Sequence, residues 1–481
     1  MTTNVVLEAH RGLVVAPAGC GKTHLITETL AIPQSKPYLV LTHTTAGVAA
    51  LKQKLTRLNV PAAQYVVSTI DSWSIQIASK FPNSCPLNST MAVPKLFYPE
   101  LRLKVLEFIM SNAITSAIQA SYSRILVDEY QDCNQDQHQL ICTLSEILPT
   151  IIFGDPMQSI FSFAGPMPSW QDVENHFPVI CELNTPWRWI NAGAPELGAW
   201  LLECRRLLLN NLPINLQGRS NYIHWHTITS DPQKNIANQI SAQYNLLNTS
   251  NGESILIIGN SSNARSRHEF ASFSRGFDVV EPVGLEDLIE LAEQIDKSTD
   301  TNSLFTIIFM GLKKMMTGLD IHALIKRLES IQKGRNRNPS TPMEQAVIHF
   351  LNQNDAKSHR ELIKEVIIKI NAADSVRTYR KSACTALMEI VSLSVDSPEK
   401  TMKECAENIR ERRRHQGDKR ISHRAIGSTL LLKGLEANHV MILDATEMSP
   451  QDLYVALSRG AKSIVVFSNN HILPKNLARR T

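Results

Sequence analysis

No pair among the eight cysteines is spaced C-x-x-C, and none stands at a distance from histidines that would hold zinc. Cys20, Cys85, Cys133, Cys142, Cys181, Cys204, Cys384 and Cys405 therefore read as buried thiols of a reducing compartment. No segment approaches the unbroken apolar length that a membrane helix needs, and the opening MTTNVVLEAHRG lacks the basic start and apolar stretch of a secretory signal. These absences predict a cytoplasmic protein without a membrane partner. An excess of charge of one sign is also missing: the formal net charge is +4 over 481 residues, so affinity for nucleic acid must come from local patches. No fixed-period repeat is visible, and the only biased tract is Arg410-Glu411-Arg412-Arg413-Arg414. That run and Gln332 to Arg337 read as duplex phosphate contacts or, at least as well, as solvated surface.

With 43% hydrophobic residues the chain is globular, and its length exceeds what one core serves, so two or more domains are expected. Short apolar runs at Gly12 to Ala16, Tyr38 to Leu41, Ile125 to Val127 and Ile151 to Phe153 end in small, polar or acidic residues, as buried parallel strands do. Helical spacing lies between them, as in Ala46 to Leu58, which predicts alternating β and α around a parallel sheet. The stretch from Ile75 to Ser123, with four prolines, is loosely patterned and reads as an insertion. Strand-like runs return at Tyr222 to His226, Ser254 to Ile258, Val440 to Leu443 and Ser463 to Phe467. They flank a long segment of helical periodicity, in Leu285 to Ile295, Ile321 to Ile331, Ala346 to Leu351 and Glu361 to Ile370. A helical domain is thus expected inside a second α/β domain.

Chemistry concentrates first in LVVAPAGCGKT, residues 13 to 23, a strand running into a glycine loop and then a helix. Glycines let backbone N–H groups approach phosphates, Lys22 reaches the β- and γ-phosphates, and the Thr23 hydroxyl is suited to Mg²⁺. Ala18, Gly19, Cys20, Gly21, Lys22, Thr23 and His24 are the expected nucleotide-binding residues, with Ala16 where the strict pattern has glycine. The second element, RILVDEYQD, brings Asp128 at a strand end to the metal and Glu129 to the water as general base. A third, GDPMQSIFSFAG from Gly154, follows another buried strand and combines an acid, an amide and two aromatics.

APAGCGKT, VLTHTTAGVAALKQKL, VVSTIDSW, ILVDEYQD, GDPMQSIFSFAG, LNTPWRW, STLLLKGLE and DLYVALSRGAK occur in an order and with a character that resemble the UvrD/Rep/PcrA-like helicases of superfamily 1. The resemblance covers both α/β portions. It implies an α/β fold of two RecA-like domains, 1–74 with 124–180 and 181–283 with 419–481. Each is interrupted by a mostly helical insertion, 75–123 and 284–418. It further implies ATP and Mg²⁺ as cofactors, and single-stranded or partly duplex DNA as partner, with movement from 3′ to 5′.

By the same resemblance Gln158 is the γ-phosphate sensor, and Arg188 and Arg459 are the arginines that stabilise transition-state charge. Trp187 stacks on adenine in place of a tyrosine, and Glu436 contacts the ribose. His43, Trp73, Phe161 and Phe163 are the candidate DNA contacts, Trp73 being a packed residue as readily as a stacking one. Departures from the family cluster at DNA-contact positions: HTTA at 43–46 replaces an aromatic followed by Thr-Asn-Lys, Ala164 replaces an arginine, and Leu430 replaces a histidine. No counterpart of the adenine-reading glutamine precedes the phosphate loop. A motor is the leading expectation. The alternative is an ATPase switch governing a partner effector such as a nuclease, as in compact anti-phage relatives of the Gabija type.

Overall fold

The computed structural model describes residues 2–91, 93–160, 165–218, 221–261, 263–282, 284–335, 338–353, 359–416 and 422–475. The chain divides into two compact units, residues 1–227 with 445–481, and residues 228–444.

The first unit is built on a parallel sheet of β1 (Arg11–Val15), β2 (Tyr38–Thr42), β3 (Tyr65–Thr69), β4 (Ile125–Val127), β5 (Thr150–Gly154) and β6 (Val179–Glu182) in the order β3-β2-β4-β5-β1-β6. Alternate residues of each central strand enter opposite cores. Leu13, Val15, Leu39, Leu41, Ile125, Val127 and Ile152 pack on one face. Val14, Tyr38, Val40, Leu126, Ile151 and Phe153 pack on the other. Both faces are covered, which is why these strands are continuous apolar runs rather than alternating ones. The expected insertion is helical, with helices Ile70–Lys80, Pro94–Met110 and Thr115–Ser121. It is part of the first core: Trp73, Phe97, Leu101, Val105 and Phe108 pack with Leu13 and Leu39. The unit also holds β7 (Ile214–Asn215) and β8 (Ile223–Thr227).

In the second unit β9 (Ile255–Gly259) and β10 (Asp278–Val279) precede a helical portion from Glu286–Lys297 to Met402–Gln416. Leu288, Phe305, Phe309, Val347, Ile367, Leu387 and Ile390 form its shared core. Within it β11 (Met316–Thr317) and β12 (Arg377–Thr378) make one antiparallel pair. The α/β pattern resumes with β13 (Arg424–Ser428) and β14 (Ala437–Ile442). Parallel β10, β13, β9 and β14 fall, in that order, in the second unit. The parallel pair of β8 with β15 (Gly460–Ser468) falls in the first, as does the antiparallel pair of β7 with β16 (Ile472–Leu473). The protein is thus a mixed α/β chain with two parallel sheets and a helical insertion in each α/β portion.

Candidate nucleotide site

Strands β4, β5 and β1 are neighbours, so their carboxyl ends bring Asp128, Asp155 and the phosphate loop to one edge of the sheet. That edge is where open parallel sheets bind ligands. The amide of Ala16 donates to the Gly154 carbonyl over 2.9 Å, tying the start of the loop to the end of β5. Gly19 (φ +70°) and Gly21 (φ +92°) have left-handed backbones, which side-chain-bearing residues avoid. A Cβ at Gly19 would also lie 2.7 Å from the Trp189 ring. Gly21 caps helix Lys22–Leu30, so unpaired amides and the positive end of a helix dipole open onto the loop, the environment an anion needs.

Lys22 places its Nζ 2.9 Å from Asp128 Oδ1 and 2.5 Å from Glu129 Oε1. Burial alone would lower the ammonium pKa, but the two carboxylates outweigh it and hold the group above its ordinary value, fully charged. Glu129 sits in a left-handed backbone (φ 54°), its amide donating to Asp128 Oδ1 over 2.9 Å. Gln131 donates its side-chain amide to Glu129 Oε2 and accepts at Oε1 from the Asp155 amide over 3.2 Å. Gln158, buried, donates from Nε2 to the Ala16 carbonyl over 3.3 Å and to Asp155 Oδ2 over 3.1 Å. The catalytic candidates Lys22, Glu129 and Gln158 therefore join one hydrogen-bonded set around the loop.

Arg188 lies on the short helix Trp187–Asn191, where its amide donates to the Gly19 carbonyl over 3.1 Å and its Nη1 donates to the Ser458 carbonyl. Its guanidinium lies 5.3 Å from the Trp189 ring centroid. Trp187 is 50% exposed, and a Cβ on Gly21 would lie 3.3 Å from its Cδ1, so an open indole stands beside the loop. Arg459 is buried in the same unit, donating from Nε to the Val455 carbonyl over 3.0 Å. Thr23 occupies the first turn of the loop helix, and exposed His24 faces Glu28 over 3.1 Å one turn along. Cys20 is buried, and burial with Asp155 nearby pushes its thiol up to about 12, so it is no nucleophile.

The remaining candidates are less gathered. Glu436 is exposed just before β14 in the second unit. His43 follows β2, next to Thr44, which caps helix Thr45–Arg57. Trp73 is 1% exposed and packs in the first unit's core, so a base has no face of it to stack on. Phe161, Phe163 and Ala164 lie outside the described residues. Sequence reasoning missed Gln131, Arg205 and Tyr454. Gln131 and Tyr454 lie inside recognised motifs, ILVDEYQD and DLYVALSRGAK, whereas Arg205 carries no local signal beyond its place in an amphipathic helix.

The groups present fit a magnesium nucleotide: two left-handed glycines, a helix start, a charged lysine, a hydroxyl at Thr23 and paired acids at Asp128 and Glu129. Among the described residues no three His, Cys, Asp or Glu side chains gather into a group that could hold a metal ion. No helix among the described residues is long and apolar enough to cross a membrane.

A family model, the UvrD/REP helicase N-terminal domain, matches residues 96–176. Over 74 residues the chain is 36% identical to the A-type subunit of an ATP-dependent helicase/nuclease of Leuconostoc mesenteroides subsp. mesenteroides. That stretch spans 15% of this chain and 6% of the relative. A solved complex of Arterivirus nonstructural protein 10 (helicase) with DNA aligns over 96% of this chain and 61% of that one, at 8% identity and a TM-score of 0.34. The domain match falls on the segment that carries Asp128, Glu129 and Gln158, so that this part of the chain is similar to the N-terminal domain of UvrD/REP helicases.

Proposed function

We propose that the protein is an Mg²⁺-dependent ATPase, stimulated by single-stranded DNA, that moves 3′ to 5′ along the strand. The observation that carries this is the placement of Lys22 between Asp128 and Glu129 at the mouth of the phosphate loop, with Gln158 fixed beside it. The loop amides and Lys22 bind the phosphates, Lys22 exchanging its carboxylate partners for phosphate oxygens. Thr23 and Asp128 would hold a magnesium ion, which would supply charge neutralisation to the bound phosphates. Glu129 accepts a proton from the attacking water, Gln158 orients it, and Arg188 and Arg459 offer guanidinium donors to the charge that develops. Trp187 offers the adenine a stacking face. His43, Phe161 and Phe163 supply the grip on the strand.

A scaffold without turnover has no use for groups that act on the transition state, which is the role that suits Glu129 at the mouth of the loop. The test is ATP hydrolysis with and without single-stranded DNA. Stimulation that disappears in Lys22→Ala and in Glu129→Gln is expected, and a rate indifferent to DNA and to both substitutions refutes the proposal. Ala46, Ala164 and Leu430, at positions where the family touches DNA, favour a second reading in which the ATPase is a switch for a partner effector such as a nuclease. Processive unwinding of a 3′-tailed duplex by the purified chain decides for the motor.

A further inference from the structure

Helix Pro195–Leu209 carries adjacent arginines with opposite fates. Arg206 is exposed and paired to Glu203 on its own helix, whereas Arg205 turns inward and is 7% exposed. A buried guanidinium must find charge, and Arg205 finds Asp155, a residue with no exposed surface, Nε to Oδ1 over 3.0 Å. Its Nη1 donates to Glu182 Oε1, at the end of β6, over 3.2 Å. We propose that Arg205 is a positioning residue for nucleotide hydrolysis, holding the Asp155 carboxylate and through it the side-chain amide of Gln158. The inference rests on the ATPase reading above.

Three observations converge on this role. First, the two oxygens of Asp155 have separate duties. Oδ1 accepts from Arg205 Nε and, over 3.1 Å, from the Met157 amide, while Oδ2 accepts from Gln158 Nε2. Arg205 therefore fixes the carboxylate plane and so the direction in which Oδ2 is offered. Second, Gln158 places its NH₂ between two acceptors, Asp155 Oδ2 and the Ala16 carbonyl, so the orientation of the amide is dictated by these partners. Without a fixed Asp155 only the longer contact, 3.3 Å to Ala16, is left of the two. Third, the Asp155 amide donates to Gln131, whose other end donates to Glu129, so displacement at residue 155 reaches the proposed base as well as the sensor.

Stability alone is a weak reason to keep such a pair, because a buried ion pair roughly breaks even against apolar residues of similar size. Geometry supplies a stronger one. Arg205 ties helix Pro195–Leu209 to the loop after β5, linking the segment that follows Arg188 with the loop that carries Gln158. Burial raises the Asp155 pKa, and Arg205, Gln158 and the Met157 amide oppose that rise.

Steady-state ATP hydrolysis by wild type, Arg205→Gln, Arg205→Lys and Lys22→Ala tests the assignment. For a group that acts on transition-state geometry, Arg205→Gln should lower kcat about tenfold or more while the KM for ATP stays within about threefold, and Arg205→Lys should recover part of the loss. A kcat equal to wild type in Arg205→Gln, or a loss expressed only in KM, overturns the assignment. Should Arg205→Gln fail to fold, the charge-neutral double variant Arg205→Gln/Asp155→Asn is measured instead. A persisting kcat defect supports the role, and a wild-type kcat assigns the pair to folding alone. Absence of hydrolysis in wild type, or hydrolysis untouched by Lys22→Ala, refutes the ATPase reading itself, and the role of Arg205 falls with it.

Discussion

The backbone amide of Ala18 donates to the hydroxyl of Tyr454 over 3.2 Å, joining residues 436 positions apart. The phosphate loop is thereby tied to helix Pro450–Leu457, and Arg459 follows that helix closely. Tyr454 is fully buried, and burial raises its pKa, so the hydroxyl stays neutral and serves as an acceptor.

Tyr454→Phe keeps the ring and removes the acceptor, leaving the Ala18 amide without it. An unsatisfied buried donor costs about 1–3 kcal/mol. Urea unfolding should show that loss as a lower midpoint at unchanged slope. A midpoint equal to wild type would mean the tie contributes nothing.

Trp187 presents an exposed indole beside Gly21. Stacking of a base on an aromatic ring contributes about 1–3 kcal/mol, so Trp187→Ala should weaken ATP binding by roughly tenfold or more, while Trp187→Tyr retains most of it. Because a ring face does not discriminate among bases, GTP should lose affinity in parallel. Fluorescence titration with both nucleotides checks this, and loss for ATP alone would contradict simple stacking.

His268 provides a pH signature in the second unit. Burial, with Arg380 nearby, lowers its pKa from 6.5 to about 4; Glu281, 3.8 Å from its Nε2, pulls the other way but is already held by Arg380. The unfolded chain therefore takes up a proton before the folded one does. Its contribution to stability is complete above pH 6.5 and is lost as pH falls toward 4. Each tenfold difference in proton affinity between the two states corresponds to about 1.4 kcal/mol, so the full loss is of the order of 3 kcal/mol. Denaturation followed from pH 7 to pH 4.5 should show a decline that His268→Gln flattens, and an equal decline in both proteins would place the dependence elsewhere.

The central strands were legible because burial on both faces demands unbroken apolar runs: those at Tyr38, Ile125 and Ile151 became β2, β4 and β5 within a residue or so at either end. Strand β13, Arg424–Ser428, was not, since Arg-Ala-Ile-Gly-Ser lacks such a run and is set by its pairing with β9. The bounds of helix Pro94–Met110, inside the insertion expected to be helical, were not legible because Leu96, Leu103 and Met110 lie exposed opposite Phe97, Leu101 and Val105, blurring the helical period, and Pro99 stands inside it. In the site, Lys22, Asp128 and Glu129 were singled out from motif chemistry and Gln158 from the family resemblance, and all four lie in one chain of ion pairs and hydrogen bonds. Arg205 was illegible because its neighbour Arg206 has the same charge and the opposite surroundings, a difference that only tertiary packing creates.

Glu129 has a further consequence through its backbone. A left-handed conformation disfavours any residue with a Cβ other than asparagine or aspartate, at a cost of about 1–3 kcal/mol, and glycine relieves it. Only a glutamate there, however, brings a carboxylate to Lys22 with the reach seen. A library varied at position 129 and sorted for solubility should therefore drift toward glycine or asparagine, while one sorted for turnover should keep the acid. The two selections part company at a single dihedral angle.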